Sequence, residues 1–321
     1  MRAITVHEYG GPDVLQYGES PDPVAGPGQV LVRTAAIGVN FIDTYFREGR
    51  YPTALPFVPG QEATGTVVAV GEGVAHRSVG DVVAWSNLPG AYAELVSVPA
   101  ERTVPVPAGV SPQVAASVLL QGMTAHYLAF DSYAVQPGDT VLVHAGAGGV
   151  GLLLTQIATH LGARVITTVS TDAKAELSRA AGAVEVLRYT DDVPARVREL
   201  TGGAGVPAVY DGVGRDTFEA SLASTRPTGV VVLFGAASGP VPPFDLQRLN
   251  GLGSLYVQRP TLGTYVATTH ELRRRSAYVF AGLAEGWLHF RVGATYPLAE
   301  AVRAHTDLQA RRTTGSVVLI P

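Results

Sequence analysis

Apolar residues in the first hundred positions cluster in short strand-like runs, 30–37, 64–70, 81–86 and 92–98, each broken off by Gly, Pro or a polar turn. Turn punctuation at Gly10-Gly11-Pro12, Gly26-Pro27-Gly28 and Asn87-Leu88-Pro89-Gly90 fits tight connections, so residues 1 to about 103 read as a barrel-like all-β unit. At Ser111-Pro112 the texture changes. Ser can cap a helix, Pro suits its first turn, and an apolar run continues toward Phe130. From Thr140 strands and helices alternate: strands over 140–144 and 164–169 flank a helix over 150–161, and 208–210, 230–234 and 254–257 read as later buried strands. In that helix Val150, Leu153, Leu154, Ile157, Ala158 and Leu161 fall on one stripe, the face that packs on a sheet. Alternation at this spacing implies a parallel sheet with crossover helices, a doubly wound α/β fold. After about Leu262, amphipathic helices over 270–285 and 298–310 precede a final strand, 316–320, that returns to the first unit. No internal repeat is found; Gly80-Asp81-Val82-Val83 and Gly138-Asp139-Thr140-Val141 look alike because both open strands.

Composition narrows the function classes. At 321 residues the chain exceeds a usual single core, and roughly 150 residues per domain predicts two. With 46% hydrophobic and 16% charged residues it is built to fold throughout. A net charge of -4 supplies no overall basic field, which argues against a nucleic-acid partner. The lack of cysteine removes disulfides, thiolate zinc sites, iron–sulfur clusters and cysteine nucleophiles together. The start, MRAITVHEYGG, carries no long apolar segment, and no apolar run approaches the roughly 20 residues of a spanning helix. The expectation is a soluble, cytoplasmic protein with no membrane partner.

The strongest motif is Gly146-Ala147-Gly148-Gly149-Val150-Gly151, a G-x-G-x-x-G between a strand and a helix. In that setting the first glycine makes the tight turn, the second lets the backbone approach a diphosphate, and the third allows close helix packing. The N–H groups and dipole at the helix start then hold the anion. About 20 residues on, an NAD site places Asp or Glu for the ribose hydroxyls. Here the strand ends in Ser170, Thr171, Asp172, Ala173 and Lys174. Two hydroxyls and the only lysine of the chain favour a 2′-phosphate, hence NADPH; Asp172 weighs the other way.

Several segments resemble the zeta-crystallin-like quinone oxidoreductases, a zinc-independent branch of the medium-chain dehydrogenase/reductase superfamily. They are Gly38 through Tyr45, Pro59 through Gly65, the glycine loop, Tyr210 through Asp216, and Gly253 through Val257 before Arg259-Pro260, and the likeness runs to Pro321. The resemblance implies a GroES-like β-barrel domain over 1–123, an NADPH-binding Rossmann domain over 124–262 and a return to the first domain over 263–321. It further implies an active site in the cleft between the domains, and a homodimer. It places NADPH on Asn40, Thr124, Gly146, Gly148, Gly149, Val150, Gly151, Ser170, Thr171, Lys174, Tyr189, Phe234, Gly235, Val257, Arg259 and Arg311, with Tyr189 and Arg311 joining Lys174 at the 2′-phosphate. Read without it, Tyr189 is a half-buried aromatic after a strand and Arg311 a cation at a helix end.

Zinc-dependent relatives carry Gly-His-Glu where this chain has Gly60-Gln61-Glu62, and use cysteine ligands that it lacks. Gln cannot replace imidazole on zinc, and the eight histidines form no close ligand pair, so metal-assisted alcohol oxidation is not expected. For Glu62 a strand-end hydrogen-bonding role and a catalytic one both stay open. What remains is reduction of an already activated acceptor. A quinone, or an alkene conjugated to a carbonyl, takes hydride directly, and positioning plus one hydrogen-bond donor suffices. Related enoyl reductases use a tyrosine proton donor at the position of Tyr51, which could equally be a packing aromatic. Asn40, Asp43 and Tyr45, read as part of the same loop, would orient nicotinamide or substrate. The expected function is NADPH:quinone reduction. The alternatives are an NADPH-dependent reductase of enones, 2-alkenals or enoyl thioesters, and an NADPH-binding protein with little turnover.

Overall fold

The Gly- and Pro-punctuated runs fold, in the computed structural model of residues 1–321, into β1 (Arg2–Val6), β2 (Leu15–Glu19), β3 (Gln29–Val39), α1 (Phe41–Arg47), β4 (Glu62–Val70), β5 (Val82–Ser86), β6 (Leu95–Pro99) and β7 (Val104–Pro105). Helix α2 (Pro112–Tyr127) leads into the alternating region. That region comprises β8 (Thr140–Val143), α3 (Gly149–His160), β9 (Arg164–Val169), α4 (Asp172–Ala180), β10 (Ala183–Arg188), α5 (Val193–Leu200), β11 (Val206–Asp211), α6 (Phe218–Ser224), β12 (Thr225–Leu233), α7 (Arg248–Gly251), β13 (Tyr256–Gln258) and α8 (Leu262–Tyr265). Last come α9 (Thr269–Glu285), β14 (Val292–Pro297), α10 (Ala301–Gln309) and β15 (Ser316–Ile320).

Two compact units result: Met1–Gln121 with Val266–Ala281 and Phe290–Pro321, and Gly122–Tyr265 with Gly282–His289. The sequence reading returned everything after residue 262 to the first domain. Residues 282–289 instead group with the second unit, because Trp287 stacks on His160 at 4.1 Å and Gln156 bonds both the N–H and the C=O of His289.

In the first unit the sheet order is β14-β15-β3-β4-β5-β7, with β6 also on β3 and a separate β1-β2 hairpin. The long strand β3 is its spine. Its early residues alternate between core and surface and its last four are all buried, where Ala36 packs on Ala116 of α2 and a Cβ on Gly38 would lie 2.5 Å from the Ala116 carbonyl oxygen. The chain end is tied in by backbone pairing, with Val317 opposite Val39 and Leu319 opposite Ile37. Val30, Val32, Ile37, Trp85, Tyr92, Val317 and Leu319 fill the core beneath.

In the second unit the order β10-β9-β8-β11-β12-β13 is parallel throughout, the doubly wound arrangement expected from the alternation. Every residue of β11 is buried, as a strand covered on both faces requires. On α3, Leu153, Leu154, Ile157 and Ala158 are buried along the stripe. Three differences from the sequence reading have local causes. Strand β12 starts at Thr225, five residues early, because Thr225, Arg226, Pro227 and Thr228 carry no apolar period. Strand β13 starts at Tyr256, since Ser254 sits at φ 59 and breaks the extended run. Strand β14 lies at a sheet end and exposes alternate residues, so it shows little hydrophobic signal.

One glycine pair tests how tightly the first sheet is built. A Cβ on Gly65 would lie 2.0 Å from the Arg33 carbonyl oxygen, whereas one on Gly18 would meet nothing within 4 Å. Gly65→Ala should cost at least about 2 kcal/mol in urea unfolding, and Gly18→Ala stay within about 0.5 kcal/mol. Equal effects would show that β3 and β4 yield more easily than their spacing implies.

Candidate active site

The turn after β8 needs glycine for three different reasons. A Cβ on Gly146 would lie 2.5 Å from Thr167 Cβ, and one on Gly151 would lie 2.3 Å from the Ala145 carbonyl oxygen. Strand and helix could not then pack. At Gly148 a Cβ would meet a single atom, the Ala145 carbonyl oxygen at 3.3 Å, a tight contact but a far smaller obstacle than at the other two. Gly148 is the N-cap of α3, in extended backbone, and no side chain caps the helix or puts a carboxylate in its first turn. The N–H groups of Gly149, Val150 and Gly151 therefore start a helix with its positive end uncovered. The Tyr189 hydroxyl, just beyond β10, accepts the Ala145 N–H at 3.0 Å, and its ring lies over His144. That latch holds Ala145 at φ 54, the left-handed region that non-glycine residues seldom adopt.

The next turn carries Lys174, the charge expected at a 2′-phosphate. Thr171 caps α4 by accepting the Lys174 N–H at 3.3 Å, so Ser170, Thr171 and Lys174 stand together at the C-terminal end of β9. Asp172, the residue that weighed against a phosphate, is ion-paired with Arg188. Sequence reasoning missed Arg188, whose place at the end of β10 only the sheet order reveals. Its Nη1 is buried without a hydrogen-bond partner, a donor that an anionic group would satisfy.

The remaining residues expected at the cofactor are set out along the same sheet, apart from Thr124, which is buried in α2, and Arg311, which follows α10 in the first unit at φ 58. Phe234 and Gly235 follow β12, and both of their N–H groups reach the Asp211 carbonyl, at 2.9 and 3.3 Å. The Asp211 carboxylate itself is buried and takes the N–H groups of Val213 and Gly214 and the hydroxyls of Thr217 and Ser221. Val257 lies half-exposed on β13, with Arg259 just after it. Ala145, Ser170, Tyr189, Phe234 and Arg259 all follow the carboxyl ends of parallel strands, the edge where open α/β sheets take ligands.

The first unit holds a second polar cluster. Asn40, Asp43 and Tyr45 were expected on a loop; the structure corrects this, since Asn40 is the N-cap of α1 and the other two lie on that helix. The Asn-x-x-Asp spacing is a capping box, the signal that could have revealed the helix. The Asn40 N–H donates to Asp43 Oδ2 at 2.8 Å, and Asn40 Nδ2 donates to Glu62 Oε1 at 2.7 Å. Leu120 N–H donates to Glu62 Oε2 at 2.8 Å, and Gln121 Nε2 donates to Asn40 Oδ1 at 3.1 Å. Ser316 Oγ completes the row by donating to Gln121 Oε1 at 2.5 Å. Asp43 Oδ2 also accepts the Tyr92 hydroxyl at 3.0 Å. His305 lies 2.9 Å from Tyr92 through Nε2 and 2.9 Å from Arg47 Nη1 through Nδ1. Arginine only donates, so His305 Nδ1 accepts and Nε2 carries the proton toward Tyr92. A directed chain runs from Arg47 through His305 and Tyr92 to Asp43. Gln121, Ser316, Tyr92 and His305 gave no sequence signal.

Burial dominates the electrostatics here. It pushes Glu62 up to about 8, against the hydrogen bonds from Asn40 and Leu120 and with help from the Asp43 charge. It pushes Asp43 up to about 7, against the bonds from Asn40 and Tyr92, and it lowers His305 to about 3 with Arg47 acting in the same sense. Tyr45 is buried, while Tyr51 is 37% exposed, edge-on to Tyr45 at 5.6 Å and to Phe46 at 5.5 Å. Gln61 is buried next to Glu62, and no three His, Asp or Glu side chains converge as a metal centre would need.

Comparison with known proteins gives the setting. Residues 26–108 match the family model of the alcohol dehydrogenase GroES-like domain, and residues 149–277 match that of the zinc-binding dehydrogenases. The chain is 48% identical to a quinone oxidoreductase of Pseudomonas aeruginosa, over 100% of this chain and 99% of that protein. It is 42% identical to a 2-haloacrylate reductase of a Burkholderia species, again over 100% and 99%. A mycobacterial protein solved in complex with NADPH is 57% identical and superposes with a TM-score of 0.97 over 100% of both chains.

The buried groups fix how stability depends on pH. Glu62 and Asp43 bind protons more tightly in the folded state than at their ordinary 4.5 and 3.8, so the stability they give is complete at low pH and lost as pH rises through about 7 and about 8. His305 acts oppositely, its contribution growing as pH rises from about 3 to 6.5. Above pH 6.5 only the two carboxylates still titrate in this cluster, so the free energy of unfolding should fall between pH 6.5 and 8. Glu62→Gln should make that fall shallower. Urea unfolding across this range checks both, and a wild-type stability that climbs toward pH 8 would contradict the assignment.

Proposed function

The chain belongs to the zeta-crystallin-like quinone oxidoreductases, the zinc-independent branch of the medium-chain dehydrogenase/reductase superfamily, and on that premise we propose that it reduces quinones with NADPH. One observation carries the cofactor assignment: the uncapped start of α3 at Gly148, where a Cβ would meet only the Ala145 carbonyl oxygen and would stand over the free N–H groups of the helix start. A diphosphate fits there, held by the N–H groups of Gly149, Val150 and Gly151. Lys174, Ser170, Thr171 and Tyr189, with Arg311, take the 2′-phosphate, and Arg188 cancels the Asp172 charge that would repel it. Thr124, Phe234, Gly235, Val257 and Arg259 complete the cofactor set.

Bound NADPH supplies the hydride. The chain's own residues hold the acceptor, exclude water and manage the proton. Asn40 supplies an amide held between the Glu62 carboxyl and the Gln121 amide, with its backbone N–H on Asp43, and Tyr45 and Tyr51 meet edge-on just after it in the chain. Tyr51 is the proton donor in this reading, its ring steadied by Tyr45 and Phe46. With Gln61 where a zinc-binding imidazole would stand, the acceptor must already be activated. The 2-haloacrylate reductase at 42% identity supports a second reading, reduction of a carbon–carbon double bond conjugated to a carboxyl group. The same residues serve it, with protonation at carbon as the added demand. We further propose a homodimer, because β13 ends the parallel sheet with an open backbone edge and Tyr256 is 66% exposed on it. Sedimentation as a monomer would remove that assignment.

An acceptor panel that follows NADPH absorbance tests the reading. Wild type should oxidise NADPH with quinones, and failure with every quinone and every conjugated alkene would sink it. Lys174→Ala should raise the KM for NADPH about tenfold or more and leave NADH almost unchanged, since only the former carries the phosphate. Equal losses would refute the 2′-phosphate site. Tyr51→Phe should slow conjugated alkenes by about 10²- to 10⁴-fold and spare quinones, whose reduced oxygens take protons from water.

A further inference from the structure

Glu62 has its two oxygens engaged by donors of different kinds. Oε2 takes the Leu120 N–H, a backbone donor that cannot turn round, and Oε1 takes Asn40 Nδ2, a side-chain amide that can. A proton arriving on the carboxylate must therefore settle on Oε1, since Oε2 is needed as an acceptor. It would then face the Asn40 N–H, donor against donor. The contact is relieved if the Asn40 amide turns over so that Oδ1 accepts from Glu62. Asn40 Nδ2 would then donate to Gln121 Oε1, and Gln121 Nε2, turned likewise, to Ser316 Oγ. The row ends in the one group that can reverse without moving, a hydroxyl that either donates or accepts. Both arrangements pair every member of the row; the second gives up the capping contact between the Asn40 side chain and the Asp43 N–H, which keeps its bond to the Asn40 carbonyl at 3.0 Å.

We propose that Glu62 is a positioning residue whose ionisation decides which way the Asn40 amide faces, and so whether Asn40 offers its ligand a spare N–H or a spare oxygen lone pair at a given point. The inference rests on the functional reading above, in which Asn40 meets cofactor or acceptor. The row leaves Asn40 one N–H uncommitted on the Glu62 side, while on the other side its oxygen also faces the Asp43 N–H of the capping box, and the residue is 6% exposed. Room for the carboxylate is built in: a Cβ on Gly38, which pairs with Glu62 across the sheet, would lie 2.6 Å from Glu62 Oε1.

The groups that act on Glu62 are few. From α1 comes Asp43, whose charge favours a proton on Glu62, and from the segment between β5 and β6 comes Tyr92. On the flanking strands β3 and β5 its partners are Gly38 and Ser86, and α2 presents Leu120 and Gln121, none of them ionisable. The cation Arg47 lies at the far end of the His305–Tyr92–Asp43 chain. Burial raises Glu62 to about 8, which puts the reversal within reach of an assay.

The test measures NADPH affinity, by fluorescence of the bound cofactor, and kcat/KM for a quinone, both from pH 6 to 9.5 with wild type and Glu62→Gln. Glutamine must give its oxygen to Leu120 N–H and its amide N–H to Asn40, so it reproduces the protonated arrangement at every pH. Wild type should show a step of roughly tenfold, the worth of one ligand hydrogen bond, with a midpoint near pH 8. The variant should show no step and lie on the wild-type low-pH level. In wild type alone, the side-chain amide ¹⁵N resonances of Asn40 and Gln121 should shift together through the same midpoint, which keeps the test independent of how the variant folds. A step that survives in Glu62→Gln, amide resonances that do not move together, or a flat wild-type profile in a protein that binds and oxidises NADPH overturns this inference alone. A wild type that binds no NADPH overturns the functional reading and this inference with it.

Discussion

Asn40 donates from its backbone to one buried carboxylate and from its side chain to another, and much of the first unit is arranged around that double contact. Burying two carboxylates is costly unless donors replace the lost water. The fold meets this demand with donors from separate stretches of chain: the start of α1, the middle of α2, Tyr92, and through them Ser316 and His305 near the chain end. The return of the last residues to the first sheet is therefore more than a closing strand. It brings Ser316 to Gln121 across 195 positions and His305 to Arg47 across 258.

This gives a reason for the Gly60-Gln61-Glu62 segment to keep its outline without an imidazole. Gly60 sits at φ 93, and a Cβ there would lie 2.2 Å from the Tyr92 ring, so glycine is needed to seat the tyrosine that bonds Asp43. Glu62 accepts from Asn40 and Leu120. Both flanking residues are thus held by packing and hydrogen bonding that involve no metal, and only the middle position is released to be Gln. A motif shared with zinc-dependent relatives is here a piece of the polar scaffold.

What was legible in the sequence was local. The three glycines of the loop, the apolar stripe of α3 and the Ser170, Thr171 and Lys174 set lie within 29 positions, and short-range geometry dictates them. That the sheet is parallel followed from alternation, but its order did not, and Arg188 could not be placed beside Asp172 until that order put β10 next to β9. Helix α1 was hidden because its seven residues hold no long apolar period, and its one sign was the Asn40 and Asp43 capping pair. The row from Glu62 to Ser316 was illegible for a different reason. Hydrogen-bond partners so far apart leave no periodicity, and Gln121 and Ser316 are ordinary residues until the tertiary fold brings them together.

The chemistry left to such a site is set by what fixed amides and aromatic rings can do. They can hold a flat acceptor and donate to the oxygen on which charge gathers, a contribution that depends on the donors being in place before the charge appears. Pre-placement has to come from somewhere, and an asparagine on a free loop would not supply it. Asn40 is instead a helix cap, bonded through backbone and through both ends of its amide, so its reorganisation on meeting a ligand is small. An activated acceptor such as a quinone needs little beyond this. An alkene needs a proton delivered to carbon as well, and in the proposed function that demand falls on the half-exposed Tyr51, braced against Tyr45 and Phe46.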